Sequence, residues 1–234
     1  MMKKKFQYIL ITLLGVIIFS CEYDNYEEPN SQFDGRIVYQ GEPLNVSFND
    51  VYFELWEPGW QLQYPINVAV DQDGSFSSLL FSANYKLVLP SSQGPYKSIF
   101  NSDANSDTIL VNLTGNKTMD IEVLPYYMVR NANFSNSGRT VTSTFGLEQI
   151  ITDADAKNVE RVNLYISKTA FVDTRTSIST MEINGSDISD LNNIILSTDV
   201  PDLIPTQNYV FARVGVKIEG VEDMLFSTIE KIQL

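Results

Sequence analysis

The chain has 234 residues, 29 of them acidic and 16 basic, a net charge of −13, one cysteine and no histidine. Without histidine, Ser-His-Asp and Cys-His nucleophile systems, imidazole general bases and almost every zinc site are excluded. The acidity disfavours nucleic acid and anionic membrane surfaces as partners; carboxylates, Lys, Tyr, Ser and Thr remain for chemistry, and no cofactor is expected.

Residues 1–20 follow the order of an export signal. Lys3, Lys4 and Lys5 open it, an apolar run extends from Phe6 to Phe19, and Ser20 closes it. The run is shorter than the roughly 20 residues a spanning helix needs. Cleavage after Ser20 would make Cys21, the sole cysteine, the first residue of the mature chain. Ile18-Phe19-Ser20-Cys21 resembles a loose bacterial lipobox, in which the nucleophilic thiol carries a thioether-linked diacylglycerol. With N-acylation, two or three chains give stable anchoring where one is marginal. The other readings are a secretory signal with a cysteine nearby by chance, and a transmembrane anchor. Removing residues 1–20 takes away three lysines and no acid, so 13 basic face 29 acidic residues, a net charge of −16.

Residues 21–32 (CEYDNYEEPNSQ) have no periodic apolar face and read as an acidic tether. Short alternating runs separated by turn residues follow from Phe33. In VYFELW, Val51, Phe53 and Leu55 share one face and Tyr52, Glu54 and Trp56 the other; INVAV is closed by the turn Asp71-Gln72-Asp73-Gly74. SFSSLLF, NYKLVL, DTILVNL and TMDIEVLPYY complete the series. This period of two predicts a β-sandwich over 33–127. A second series fills 128–234. VERVNLYISK alternates with a slip near Glu160, SISTMEI is weaker, and YVFARVGVKIEG sets Val210, Ala212, Val214 and Val216 against Phe211, Arg213 and Lys217. This predicts a second sandwich of immunoglobulin or fibronectin type III kind. SDISDLNNIILS is either a helical turn or an irregular crossing.

The order Gly35-Arg-Ile-Val38, Gly-Glu-Pro-Leu, Val-Tyr-Phe-Glu-Leu-Trp, Asp73-Gly74-Ser-Phe76 and Asn84-Tyr85-Lys86 resembles a carboxypeptidase-regulatory-like, transthyretin-type domain. Asn84 stands where that pattern has Gly in a turn, and Asn tolerates positive φ. With the segment Gly115 to Tyr126 and the second β domain, the chain resembles the two-domain lipoproteins of uncharacterised function from Bacteroidota polysaccharide-utilisation loci. The resemblance implies an all-β fold of two tandem sandwiches, transthyretin-like then immunoglobulin-like. It also implies a place beside an outer-membrane importer and its lid lipoprotein, and no catalytic residues carry over. Glu22, Asp24, Glu27 and Glu28 loosely resemble the acidic export signal that follows the lipidated cysteine in Bacteroidota.

Trp56-Glu-Pro-Gly-Trp60-Gln-Leu-Gln-Tyr64 gathers both tryptophans and a tyrosine around a Pro-Gly turn. Sugars stack apolar C–H faces on flat rings while amides and carboxylates bind hydroxyls. Trp56, Trp60, Gln61, Gln63 and Tyr64 are therefore candidate glycan contacts; the alternative is a core role for Trp56 and an edge cap for Trp60. Asp103, Asn105 and Asp107 space oxygen ligands as calcium loops do but lack the Gly and terminal Glu of an EF-hand, so a solvated loop competes with a metal site. No pair of acids stands out as a glycosidase dyad. The expectation is a non-enzymatic, outer-membrane, surface-facing lipoprotein that binds polysaccharide or docks on an importer. The competing class is a structural or adhesive spacer.

Overall fold

The computed structural model describes residues 27–59, 62 and 64–234, which hold a single 3-10 turn, Gly185–Asp187, and otherwise only strands and loops. β1 (Ser31–Tyr39) begins two residues inside the segment read as a tether. It pairs antiparallel with β4 (Ser75–Leu80), from Ser31↔Leu80 to Arg36↔Ser75, and parallel with Lys117–Thr118 and Ile121–Glu122. The opposing sheet is four-stranded and antiparallel. Its order is β3 (Ile66–Ala69), β2 (Tyr52–Trp56), β5 (Ala83–Val88) and β6 (Ile109–Leu113).

The alternation read from the sequence holds between these sheets. Val51, Phe53 and Leu55 are buried, and Tyr52, Glu54 and Trp56 are half-buried on the outward face. Phe76 bridges the layers, with ring centroids 5.2 Å from Phe33 and 4.9 Å from Phe53. Such aromatic pairs add about 0.5–1.5 kcal/mol each beyond the burial of their area. The turn at Asp71 to Gly74 closes as expected. Asp73 Oδ1 accepts from the Ser75 backbone N–H and hydroxyl, and Gly74 lies at φ +81°. A Cβ at Gly74 would stand 2.4 Å from the Leu44 carbonyl oxygen, so the turn needs glycine for space as well as conformation. Asn84 corrects the sequence reading: it lies inside β5 with ordinary strand φ, and its Oδ1 accepts from Asn112 Nδ2 across the pair to β6. The hairpin between β4 and β5 therefore turns earlier in the chain than the family pattern implies.

The second domain sets a three-stranded sheet against a five-stranded one. The first consists of β7 (Tyr127–Ser137), β8 (Thr140–Gln149) and β11 (Ile194–Asp199). The second runs β10 (Ser179–Asn184), β9 (Val159–Ser167) and β12 (Tyr209–Ile218), with β13 (Leu225–Phe226) and β14 (Glu230–Gln233) sharing the far side of β12. The slip at Glu160 is a register shift between Val159 and Arg161 against β12, the extra residue of a bulge. The weak SISTMEI run is strand β10, and the undecided crossing resolves into the 3-10 turn followed by β11.

The two domains share one hydrophobic core, whose buried residues include Phe33, Phe53 and Ile121 of the first and Phe145, Leu164 and Val214 of the second. Here the alternation of YVFARVGVKI misleads. Arg213, read as one of the outward polar positions, is 1% exposed. Its Nε donates to Ser227 O at 2.8 Å, Nη1 to Val46 O at 3.0 Å and Nη2 to Gln72 O at 2.6 Å. Its guanidinium carbon lies 4.3 Å from the Phe226 ring centroid. Burial pulls the Arg213 pKa down to about 9, still above neutrality, so a cation is buried at the junction. Tyr165 on β9 is buried against Val172, Met224 and Phe226 of its own domain, and Asn163 is buried as well, its Nδ2 donating to Glu182 Oε2 at 2.8 Å.

Candidate functional site

Register on the outward face of the four-stranded sheet decides which side chains meet. Trp56 is opposite Lys86, and Lys86 is opposite Leu110; Glu54 is opposite Asn67 and Val88; Asn84 is opposite Asn112. Because neighbouring strands lie about 4.8 Å apart, these pairs form adjacent rows across one surface. Asn67, Lys86, Leu110, Asn84 and Asn112 are exposed on it. The Trp56 indole N–H donates to Glu54 Oε2 at 2.8 Å, which fixes the ring against its own strand and orients the carboxylate beside it. The result is an aromatic plate fringed by a carboxylate, an ammonium and three amides, a set suited to an apolar sugar face and its hydroxyls.

Of the candidates in the Trp56 to Tyr64 stretch, Trp56 is therefore on the open face, not in the core. Tyr64 is 76% exposed past the Pro-Gly turn. Trp60, Gln61 and Gln63 lie outside the described residues, as does Cys21. Lys86, Asn67 and Asn112 went unmarked in the sequence, because membership of this face depends on pairing between strands far apart in the chain.

The calcium candidate resolves into a hairpin loop closed by its own groups. Asn101 and Ser106 pair through their backbones, the Asp103 N–H donates to Asn101 Oδ1, and Asp107 Oδ2 accepts from the Ser98 hydroxyl at 2.8 Å. Asn105 occupies the left-handed region at φ +49°. Of the three candidate ligands, Asp107 thus spends a carboxylate oxygen on the loop itself, and the turn is held by Asn101 Oδ1. Among the described residues, no group of three or more His, Cys, Asp or Glu is placed to hold a metal ion.

Two β-sandwiches fused through a buried junction, with one sheet face left open, define a two-domain all-β protein. The chain belongs to the DUF3823 family. Residues 31–124 match the model described as "Protein of unknown function (DUF3823) N-terminal domain", and residues 127–231 match "Domain of unknown function (DUF3823_C)". A DUF3823 family protein from Parabacteroides merdae is similar at 30% identity and TM-score 0.77, over 88% of this chain and 100% of that one. A DUF3823 family protein from Bacteroides ovatus is similar at 28% identity, with the same TM-score and coverage. A Bacteroides uniformis protein whose name proposes that it binds carbohydrate shares the fold at 16% identity and TM-score 0.71, over 88% of this chain and 100% of that one. No curated protein matches the chain.

Proposed function

We propose that this protein is a lipid-anchored, non-catalytic accessory of polysaccharide capture on the outer face of the outer membrane. The observation that carries the reading is Trp56, tethered on an open sheet face by its hydrogen bond to Glu54, with Lys86 opposite it and Asn67 opposite Glu54. A partly exposed indole offers an apolar face that a sugar ring can cover while its hydroxyls reach the polar fringe. The Bacteroides uniformis neighbour, whose name proposes carbohydrate binding, supports the same direction. The anchor rests on the export pattern ending at Cys21. The fused junction favours the spacer reading to one extent: a rigid pair of domains would also hold an importer partner at a set distance from the membrane.

Affinity gels and calorimetry across plant, microbial and host polysaccharides separate these readings. Wild type is expected to be retained by at least one glycan, and Trp56→Ala to weaken that retention roughly ten-fold or more, the loss of about 1.4 kcal/mol or above. No retention by any glycan, or retention indifferent to Trp56→Ala, would defeat the proposal for this face.

A further inference from the structure

A second aromatic position lies at the seam between the domains. Phe48, in the loop before β2, is 42% exposed, and Phe171, between β9 and β10, is 46% exposed. Their ring centroids are 4.9 Å apart, edge to face. The pair is braced from behind. Arg175 donates through Nη2 to the Phe48 carbonyl at 2.7 Å and through Nη1 to Asp50 at 2.9 Å, while Nη2 also reaches Asp173 Oδ2 at 2.6 Å. The Thr176 hydroxyl donates to the Phe171 carbonyl at 2.7 Å, and Gln72 Nε2 crosses the seam to the Ala170 carbonyl at 3.0 Å. Two exposed rings brought from different domains are thus fixed in place before any ligand arrives, the condition for tight recognition at low ordering cost.

Phe48 forms one wall of an open cavity of about 280 Å³, near the lower end of small-molecule sites. Ala69 and Phe76 give it an apolar floor, and Asn49, Asp71 and Ser77 supply polar groups. Asp71 Oδ1 accepts from the Gln72 N–H, and the carboxylate makes no ion pair among the described residues. The Asn49 amide has no hydrogen-bond partner among them, and its residue is held at φ +60°. Ser77 Oγ already accepts from Gln32 Nε2, so its own proton remains available to donate.

From one aromatic wall, one unpaired carboxylate, one free amide and one hydroxyl in a space this small, we infer that the junction holds a second glycan subsite. It takes a single neutral sugar ring. The C–H face of the ring lies on Phe48, with Phe171 positioning that ring edge-on, and its hydroxyls bond Asp71 and Asn49. No cation lines the cavity. A uronic acid would bring its carboxylate toward Asp71 without compensation, so acidic glycans are rejected. This inference rests on the glycan-binding reading but uses residues separate from the Trp56 face.

Affinity electrophoresis of the full chain in gels containing glucomannan, xylan, dextran, inulin or polygalacturonate tests it, with Phe48→Ala, Asp71→Asn and Trp56→Ala run in parallel. Wild type should be retarded by at least one neutral polymer and not by polygalacturonate. Phe48→Ala should raise Kd for that polymer roughly 3- to 10-fold. Asp71→Asn keeps the acceptor for Gln72; it should weaken the neutral polymer and narrow the preference over polygalacturonate, a change that misfolding would not produce. Retention sensitive to Trp56→Ala but unchanged in both junction variants overturns the subsite and leaves the sheet-face reading standing. Wild-type preference for polygalacturonate overturns the subsite alone, and no retention by any polymer overturns both.

Discussion

Arg213 is the residue whose removal should cost most. Replacing it by Met keeps the aliphatic stem and deletes the fork. Two of its three partners, Ser227 O and Val46 O, then lose their hydrogen bonds, while Gln72 O keeps the Val46 N–H at 3.3 Å. Two buried carbonyls left unpaired cost about 1–3 kcal/mol each. The contact over Phe226 is worth up to about 2 kcal/mol in a desolvated setting. Against this, no longer burying a cation without a carboxylate partner returns part of the loss. The net expectation is a destabilisation of about 3–5 kcal/mol. At roughly 2–4 °C per kcal/mol for a cooperative unit of this size, the melting temperature falls by roughly 6–20 °C. Differential scanning calorimetry of wild type, Arg213→Met and Arg213→Lys measures this. Lys carries the charge but cannot span three carbonyls at once, so it should fall between the other two. An Arg213→Met protein melting within about 2 °C of wild type would refute the claim that the guanidinium welds the domains.

Two further outcomes are expected. Burial pushes the Asp223 carboxyl above its usual range, although the Gly94 N–H donates to it at 2.7 Å, so the ionised form is penalised in the folded state. A folded pKa raised above the unfolded one means the native state binds more protons as pH falls, and the penalty is present above that folded pKa. Asp223→Asn keeps an acceptor for Gly94 and should raise the melting temperature at pH 7, a gain that vanishes below about pH 3.8, where both proteins carry a neutral group there; a gain persisting at pH 3 would contradict this assignment. Metabolic labelling with an alkyne fatty acid should mark the wild-type chain and leave Cys21→Ala unmarked; label retained in the variant would remove the anchor from the sole cysteine.

Hydrophobic alternation records which way a side chain points within one sheet. It therefore fixed the inward trio Val51, Phe53 and Leu55, the outward position of Trp56, the glycine turn at Gly74 and the bulge beside Glu160. These are local consequences of backbone geometry and the preference of apolar surface for burial. What covers the far side of a sheet is not local. Arg213 carries a charge, charged residues are seldom buried, and only the docking of the first domain onto β12 turned that position inward to meet carbonyls from Val46 and Gln72. The same docking placed Phe48 against Phe171, and strand register placed Lys86 beside Trp56. Each of these contacts joins segments far apart in the chain, and a period of two holds no information about which distant strand or loop will supply the neighbour.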